Sequence, residues 1–132
     1  MIETKSRVGA IIIQDNKLLL VKGKNHKEFW TPGGKMEPGE TDEACLRREL
    51  KEELGVTVTK FTFYKAYLAK SFYHSYIIQS RIYIVSVHGR LKPGNEIKAY
   101  NWLGRDEFTK YPIIPSTLNL LIPDLIKDGY IT

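Results

Sequence analysis

The sequence predicts a mixed α/β fold in a single domain. Segments rich in β-branched and aromatic residues occur in both halves of the chain and are separated by turn residues, as in β-strands. Between them, residues 41–54 repeat leucine at helical spacing and are bounded by a threonine and a glycine, which favour helix ends. The 132 residues fall near the common domain size of about 100 to 150. We therefore expect one domain over residues 1–132.

The N-terminal part of the chain predicts a β-hairpin, a loop and a glycine turn. Residues 7–13 and 17–22 are rich in branched aliphatic side chains, and the polar residues between them predict a hairpin turn. Residues 23–28 predict a loop, and Gly33 and Gly34 follow it. Because neither glycine has a Cβ atom, the backbone there can approach a ligand closely and leave carbonyl oxygens free to point at it.

The helix predicted at residues 41–54 carries an acidic face beside an apolar face. At about 3.6 residues per turn, three carboxylates fall within about 100 degrees of arc, those of Glu49, Glu52 and Glu53. An adjacent stripe of leucines can anchor the helix in the core, namely Leu46, Leu50 and Leu54. Glutamates at these spacings repel one another by about 0.2 to 0.5 kcal/mol per pair unless a cation lies between them.

Positive charge is scarce on this acidic face. Arg48 can pair with Glu52 one turn away, but Lys51 projects away from the carboxylates. Carboxylates, a carbonyl oxygen and water are hard ligands, which suit Mg²⁺ or Mn²⁺ and do not suit zinc. We therefore expect the helix to hold a divalent cation, with a solvated acidic surface as the alternative interpretation.

The second half of the chain predicts further strands and a closing helix. Residues 57–69 and 73–88 are rich in β-branched and aromatic residues and predict two long strands. A turn with proline and glycine then leads to a short strand at residues 97–103. Residues 116–127 predict a helix that is interrupted near Pro123.

Charge and cysteine content narrow the class of protein. The net charge is +5, but the lysines do not form a block, so nucleic acid is not expected as the primary partner. Cys45 is the only cysteine, which excludes an intrachain disulfide and a zinc site of several thiolates, and we expect it to pack as a small helix residue. No apolar run approaches the ~20 residues that span a membrane. We therefore expect a cytoplasmic protein without a membrane partner.

Two groups of side chains outside the helix are candidates for substrate binding. Lysines near the acidic face suit a phosphate-rich small molecule, with a solvated surface as the alternative: Lys22, Lys24, Lys27 and Lys35. Aromatic side chains at loop or strand ends can stack on a base, with core packing as the alternative: Trp30, Phe72, Tyr73 and Tyr76. From these groups we select Lys22, Lys35, Trp30 and Tyr73 as the substrate-binding candidates.

Residues 34–56 match the Nudix box at every position that defines it. The matching residues are Gly34, Glu40, Arg48, Glu49, Leu50, Glu52, Glu53, Gly55 and Val56. The chain therefore resembles the Nudix hydrolases, and the order of its elements agrees over essentially its whole length. The resemblance implies the Nudix fold, a mixed β-sheet sandwiched between α-helices. It also implies Mg²⁺- or Mn²⁺-dependent hydrolysis of a nucleoside diphosphate linked to another group.

The resemblance assigns roles to the matching residues. It implies metal ligation by the carbonyl oxygen of Gly34 and the side chains of Glu49, Glu52 and Glu53. Arg48 matches the arginine that holds these carboxylates in place, and Glu40 matches an orienting partner. Members of the family place the general base either on a helix glutamate, which matches Glu49, or on a glutamate of a downstream loop, which matches Glu96. Glu96 precedes Trp102 at the offset seen in MutT-like members. The expected catalytic residues are Glu49, Glu52, Arg48 and Glu96.

The resemblance favours one substrate class among several. The chain is similar in its compact length to the MutT-like nucleoside triphosphate pyrophosphohydrolases. These enzymes release a nucleoside monophosphate and pyrophosphate. Members that select oxidised guanine can use an asparagine in the C-terminal loop, but here Asn119 falls within the predicted helix, which argues against that preference. ADP-ribose-cleaving members often carry a proline where this chain has Ser71 and Phe72, and dinucleoside polyphosphate hydrolases often carry a tyrosine near Tyr73. These two substrates stay alternatives, as does a nucleotide sensor without hydrolytic activity.

The oligomeric state is left open by the sequence. Many members of the family it resembles are dimers. The tyrosine-rich stretch at residues 73–87 can bury either a second copy in a homodimer or the protein's own core.

Overall fold

Two β-sheets with helices on either side form the structure, a computed structural model that describes residues 2–132. The strands are β1 (Thr4–Ile11), β2 (Ile13–Gln14), β3 (Lys17–Gly23), β4 (Gly33–Lys35), β5 (Thr57–Lys70), β6 (Ile77–His88) and β7 (Ile97–Leu103). The helical elements are α1 (Asp42–Leu54), a 3₁₀ turn (Arg105–Glu107), a π-helical segment (Thr117–Leu121) and α2 (Ile122–Lys127). Within residues 2–132, no helix has both the length and the apolar character needed to cross a bilayer.

The strands divide between a four-stranded and a three-stranded sheet. The four-stranded sheet has the order β4-β1-β6-β5 and is mixed, because β1 and β6 run parallel while the other neighbours run antiparallel. The three-stranded sheet has the order β2-β3-β7 and is antiparallel. The predicted α/β class is confirmed, and β2, β3 and β7 add a second sheet to the mixed one.

Alternating side chains of β1 and β3 are buried on both faces. Val8 and Ala10 pack in one cluster with the leucines of α1, whereas Ile11 packs in a second cluster with α2. On β3, Leu19 belongs to the first cluster and Leu18 to the second. Burial of a large aliphatic side chain stabilises the fold by about 1.5 to 3 kcal/mol, so both helices are held against the sheets by apolar packing.

Helix α1 begins and ends where its local chemistry predicts. The Thr41 hydroxyl accepts a hydrogen bond from the Ala44 N–H at 3.1 Å and so caps the first turn. Gly55 ends the helix in the left-handed conformation, with φ at 68°, and its N–H donates to the Lys51 carbonyl. The predicted apolar stripe is confirmed by three fully buried leucines, Leu46, Leu50 and Leu54.

Four segments differ from the sequence prediction. The strand predicted at residues 7–13 is divided into β1 and β2, which lie in different sheets. The first hairpin turns through only Asp15 and Asn16, whose φ angles of 51° and 61° suit a tight two-residue loop. The second long strand, β6, begins at Ile77 instead of residue 73. The residues before it form a loop, which a hydrogen bond from the Ser71 N–H to the Tyr76 carbonyl closes at 3.0 Å. The glycine turn forms the short strand β4, which pairs with β1.

The predicted C-terminal helix consists of two helical types. Its π-helical segment continues directly into α2, next to the predicted interruption. Pro123 does not end the helical run: it lies in the first turn of α2, directly after the π-helical hydrogen bond from the Ile122 N–H to the Thr117 carbonyl. Two hydroxyls of β5 hold α2 in place: Tyr64 donates to Asp128 and Tyr67 to Asp124, each at 2.6 Å.

Candidate active site

Arg48 connects the acidic residues of α1 to the loop before the helix. Its guanidinium donates two hydrogen bonds to Glu40, at 2.7 and 2.9 Å, and one to Glu49 at 2.8 Å. It also lies 3.4 Å from a carboxylate oxygen of Glu52. The hydrogen bonds from Arg48 lower the pKa of Glu40 to about 2, so this contact is an ion pair at neutral pH. Arg48 therefore neutralises more of the acidic face than the predicted single pair with Glu52.

Glu49 and Glu53, here called the acidic pair, lie together against β4. Glu53 is buried, and its carboxylate accepts a hydrogen bond from the Gly33 N–H at 3.4 Å. The Glu49 carboxylate covers the Cα atom of Gly34, where an added Cβ atom would lie 2.4 to 2.6 Å from its carboxyl atoms. Burial, followed by a hydrogen bond shared with Glu49, raises the pKa of Glu53 well above its ordinary value. Two carboxyl groups are thus held in contact beside a glycine backbone.

Arg7 of β1 belongs to this region and was missed by the sequence prediction. Its guanidinium donates to the carbonyl oxygen and the hydroxyl of Thr31, the latter at 3.2 Å. An added Cβ atom at Gly9 would lie 2.7 Å from the guanidinium, so this glycine makes room for Arg7. Burial lowers the pKa of Arg7, whereas the charges of the acidic pair raise it. The signal in the sequence was that Arg7 is the one charged residue of the predicted strand at residues 7–13.

Glu52 and Glu96 lie outside the acidic pair, but Glu52 shares one guanidinium nitrogen of Arg48 with Glu49, at 3.4 and 2.8 Å respectively. The Glu52 side chain is 43% exposed and contacts Arg48. Glu96 is exposed and follows a loop that packs on the C-terminal end of α1, where the Gly94 N–H donates to the Glu53 carbonyl at 3.0 Å. Among residues 2–132, no three carboxylate, imidazole or thiolate side chains converge as a metal-binding cluster. The structure therefore holds Glu49 and Glu53 in direct contact and brings Glu52 to the same arginine as Glu49.

Cys45 packs in the core, as predicted. Its Sγ atom lies 3.7 Å from the carbonyl oxygens of Gly34 and Lys35, so α1 and β4 are in close contact at this point. Burial raises the pKa of the thiol to about 11, which keeps it protonated at neutral pH.

A cavity of about 280 Å³ opens beside β4. Its walls come from β1, β4, β5 and β6, from the loop at residues 71–76 and from the π-helical segment. Arg7, Gly33 and Gly34 line it, which places the acidic pair next to one of its walls. Small-molecule sites commonly have about 300 to 1,000 Å³, so the cavity is near the lower end of that range.

Aromatic side chains form the exposed edge of the cavity. The ring centroids of His26 and Tyr73 are 4.2 Å apart, and those of His26 and Trp30 are 5.3 Å apart. Phe72 packs edge-on against Tyr73, whose hydroxyl donates to Glu28 at 2.8 Å. Two of the predicted substrate-binding residues, Trp30 and Tyr73, are thus brought together.

The structure separates the two predicted substrate-binding lysines. Lys35 lines the cavity, and its Nζ atom lies 4.6 Å from the ring centroid of Tyr76. Lys22 does not line the cavity, because it lies on the face of β3 that packs towards α2, with its Nζ atom 5.2 Å from the ring centroid of Phe29.

The sequence matches known proteins over nearly all of its length. Residues 3–122 match the family model described as NUDIX domain. The chain belongs to the Nudix family. It is therefore a hydrolase of phosphoanhydride bonds that acts on small nucleotide substrates, and the predicted family and reaction class are confirmed.

Three known proteins show how close the likeness of this Nudix hydrolase is. A CTP pyrophosphohydrolase of Escherichia coli (strain K12) is 33% identical over 124 residues, which cover 86% of each chain. An 8-oxo-dGTP diphosphatase of Buchnera aphidicola subsp. Schizaphis graminum (strain Sg) is 33% identical over 122 residues, or 89% of each chain. The solution structure of the E. coli ORF135 protein superposes with a TM-score of 0.78 at 28% identity, covering 98% of this chain and 94% of that one. The predicted Nudix fold is thus confirmed.

Proposed function

We propose that this Nudix hydrolase is a Mg²⁺-dependent nucleoside triphosphate pyrophosphohydrolase that acts as one domain over residues 1–132. Its products are a nucleoside monophosphate and pyrophosphate. The observation that carries the proposal is the acidic pair, held beside β4 at the wall of a cavity with an aromatic edge. The two relatives described above, which align with 86% and 89% of the chain, are named for nucleoside triphosphates, which supports this substrate class.

The acidic pair supports a divalent cation site. A buried carboxylate beside a second carboxylate is unfavourable in its charged form, and a bound cation removes that cost. The ligand atoms that the site offers a metal ion are oxygens, which suit Mg²⁺, with Mn²⁺ as the alternative. We assign the ligands to the side chains of Glu49, Glu52 and Glu53 and the carbonyl oxygen of Gly34. When bound, the cation supplies positive charge to the substrate phosphates.

The residues around the acidic pair position it for proton transfer. Arg48, held by Glu40, fixes the Glu49 carboxylate by a hydrogen bond at 2.8 Å. Glu49 also lies against Gly34 in the cavity wall, whereas Glu96 lies beyond the C-terminal end of α1. We therefore propose Glu49 as the base that takes a proton from the attacking water, with Glu96 as the alternative.

The cavity is the proposed site of the nucleoside. We assign Trp30 and Tyr73, whose rings both line the cavity at its exposed edge, to stack on the base. Lys35 is the lining lysine nearest in sequence to the acidic helix, and we assign it to the phosphates. Lys22 has no part in this proposal, because its ammonium group lies over Phe29. The position of Tyr73 also favours a dinucleoside polyphosphate as a second candidate substrate.

A product assay tests the reaction and the substrate class together. The protein is incubated with Mg²⁺ or Mn²⁺ and with nucleoside triphosphates, ADP-ribose or dinucleoside polyphosphates, and the products are separated by chromatography. We expect pyrophosphate and a nucleoside monophosphate from triphosphates, and no turnover with excess EDTA. If only the dinucleoside polyphosphates or only ADP-ribose were cleaved, that compound and not a nucleoside triphosphate would be the substrate. If no product formed from any of these substrates, the proposed function would be contradicted.

A further inference from the structure

A row of polar side chains crosses the four-stranded sheet and forms part of the cavity floor. Arg7 of β1 is paired with Lys35 of β4 on one side and with Ser80 of β6 on the other. Ser80 is paired in turn with Tyr67 of β5, and all four residues line the cavity. Side chains of directly opposed residues on neighbouring strands project from the same face of the sheet. The row therefore places the cations of Arg7 and Lys35 next to each other at its β4 end.

The cavity lining offers these two cations no carboxylate. Among residues 2–132, neither an aspartate nor a glutamate lines the cavity. The side chain of Arg7 donates to uncharged groups of Thr31, and the ammonium group of Lys35 lies over the ring of Tyr76. Like charges on directly opposed residues destabilise a sheet, because their Cβ atoms are only about 4.5 to 5.5 Å apart. An anion that bound between Arg7 and Lys35 would relieve this repulsion.

Arg7 still has donors to offer such an anion. A guanidinium has five N–H groups, and two of them are used by the hydroxyl and the carbonyl oxygen of Thr31. These two contacts and the space above Gly9 fix the guanidinium, so its position depends on the sheet and not on a mobile surface chain. Its planar fork of N–H groups matches two oxygens of one phosphate group. Arg7 is thus a fixed donor that suits phosphate.

The acidic pair gives a second reason to expect an anion beside Arg7. In this structure the negative charges of the acidic pair partly compensate the buried charge of Arg7. A divalent cation on the acidic pair would take up that negative charge, and Arg7 would then need another anion. We propose that Arg7 is a further substrate-binding residue, which donates hydrogen bonds to phosphate oxygens of the nucleotide. This proposal rests on the nucleotide hydrolysis proposed above.

Calorimetry with the α,β-methylene analogues of the four ribonucleoside triphosphates tests the proposal without turnover. In the presence of Mg²⁺, wild type is compared with Arg7→Met and with Lys22→Met. Both variants remove one positive charge from a strand, but Lys22 lies outside the cavity. We expect Arg7→Met to weaken every analogue that binds by about ten- to a hundredfold, and Lys22→Met to weaken them by less than about threefold.

The loss should be similar for all four bases, because a phosphate contact carries no information about the base. A loss confined to one base would assign Arg7 to the base and overturn the proposal. An unchanged affinity in Arg7→Met, an equal loss in Lys22→Met, or no binding of any analogue to wild type would overturn it as well. Analogue binding that depends on Arg7, with no turnover of any triphosphate, would support it and contradict the proposed function instead.

Titration with Mg²⁺ alone separates a phosphate contact from a structural role of Arg7. Arg7→Met should bind Mg²⁺ no more weakly than wild type, because it removes a positive charge near the acidic pair. Weaker binding of both Mg²⁺ and the analogues would show that Arg7 only supports the acidic pair, and would overturn the proposal. If thermal unfolding shows that Arg7→Met is not folded, Arg7→Gln, which can still donate to Thr31, takes its place with the same expectations.

Discussion

Replacement of Gly34 by alanine is expected to remove most of the activity and to spare the fold. The new Cβ atom would lie 2.4 Å from Cδ of Glu49 and 2.5 and 2.6 Å from its carboxylate oxygens. Non-bonded heavy atoms are best separated by about 3.5 to 4 Å, so the carboxylate must retreat by about 1 Å. A displacement of that size at a reacting group lowers the rate on the order of a hundredfold. We expect a loss of that size in kcat.

The stability cost of Gly34→Ala should be much smaller. The obstructing atoms end a flexible side chain, and Gly34 is not in the left-handed region, so the backbone need not move. We expect the free energy of unfolding to change by less than about 1 kcal/mol. The hundredfold loss in rate corresponds to about 2.7 kcal/mol, so the two effects are separable. Gly104→Ala is the control, because its Cβ atom would lie 3.4 Å from Glu107, an ordinary contact.

Steady-state kinetics and urea unfolding of the two alanine variants test this reasoning. Because the effect acts through Glu49, Gly34→Ala should add little to the loss already caused by Glu49→Gln. A folded Gly34→Ala protein whose kcat stays within about threefold of wild type would refute the argument. If the factors by which Gly34→Ala and Glu49→Gln each lower kcat multiply in the variant that carries both, Gly34 acts through some group other than Glu49.

Three further outcomes are expected. Glu52→Gln should keep the fold and lower kcat by at least about a hundredfold, and near-normal kcat at saturating Mg²⁺ would contradict its assignment as a ligand. Asp42→Asn removes the negative charge and one of the two oxygens that accept hydrogen bonds from Arg81, both at 2.8 Å, and should lower the free energy of unfolding by about 1 to 3 kcal/mol at pH 7. Since Arg81 lowers the pKa of Asp42 from 3.8, this stability is present above pH 3.8 and is lost as the pH falls through the folded-state pKa. In urea titrations, a wild-type advantage that persists at still lower pH would contradict this linkage. Tyr67→Phe removes the hydrogen bond to Asp124 at 2.6 Å and should cost about 1 kcal/mol, and an unchanged urea midpoint would show that this contact does not hold α2.

The elements predicted correctly are those that short-range chemistry determines. Helix α1 was predicted to within one residue because Thr41 and Gly55 cap it through hydrogen bonds that span only a few residues. Strand β7 was predicted with its observed bounds, because a proline–glycine turn precedes it and an alternating pattern follows. The box residues of α1 could be placed for the same reason, since a helix fixes the angle between their side chains.

The features that the sequence did not reveal depend on long-range pairing. Arg7 reaches Thr31 across 24 positions of the chain, and its place beside the acidic pair follows from the register of β1 with β4. Lys22 was selected for its closeness to the box in sequence, but the alternation along β3 turns it away from the cavity. The start of β6 was predicted four residues too early because Tyr73 has a high strand propensity, whereas tertiary contacts hold it in a loop.

The parallel pairing of β1 with β6 has a consequence for the order of folding. It places Thr4 opposite Ile77, so the central strand pair joins the beginning of the chain to its second half. Contacts between such distant residues form late, because the intervening chain must first be closed into a loop. During synthesis, α1 leaves the ribosome before β6, because it precedes β6 in the sequence, and the cavity wall is incomplete until β6 has been made. We expect a nascent chain that ends before β6 to carry the whole Nudix box and yet be inactive.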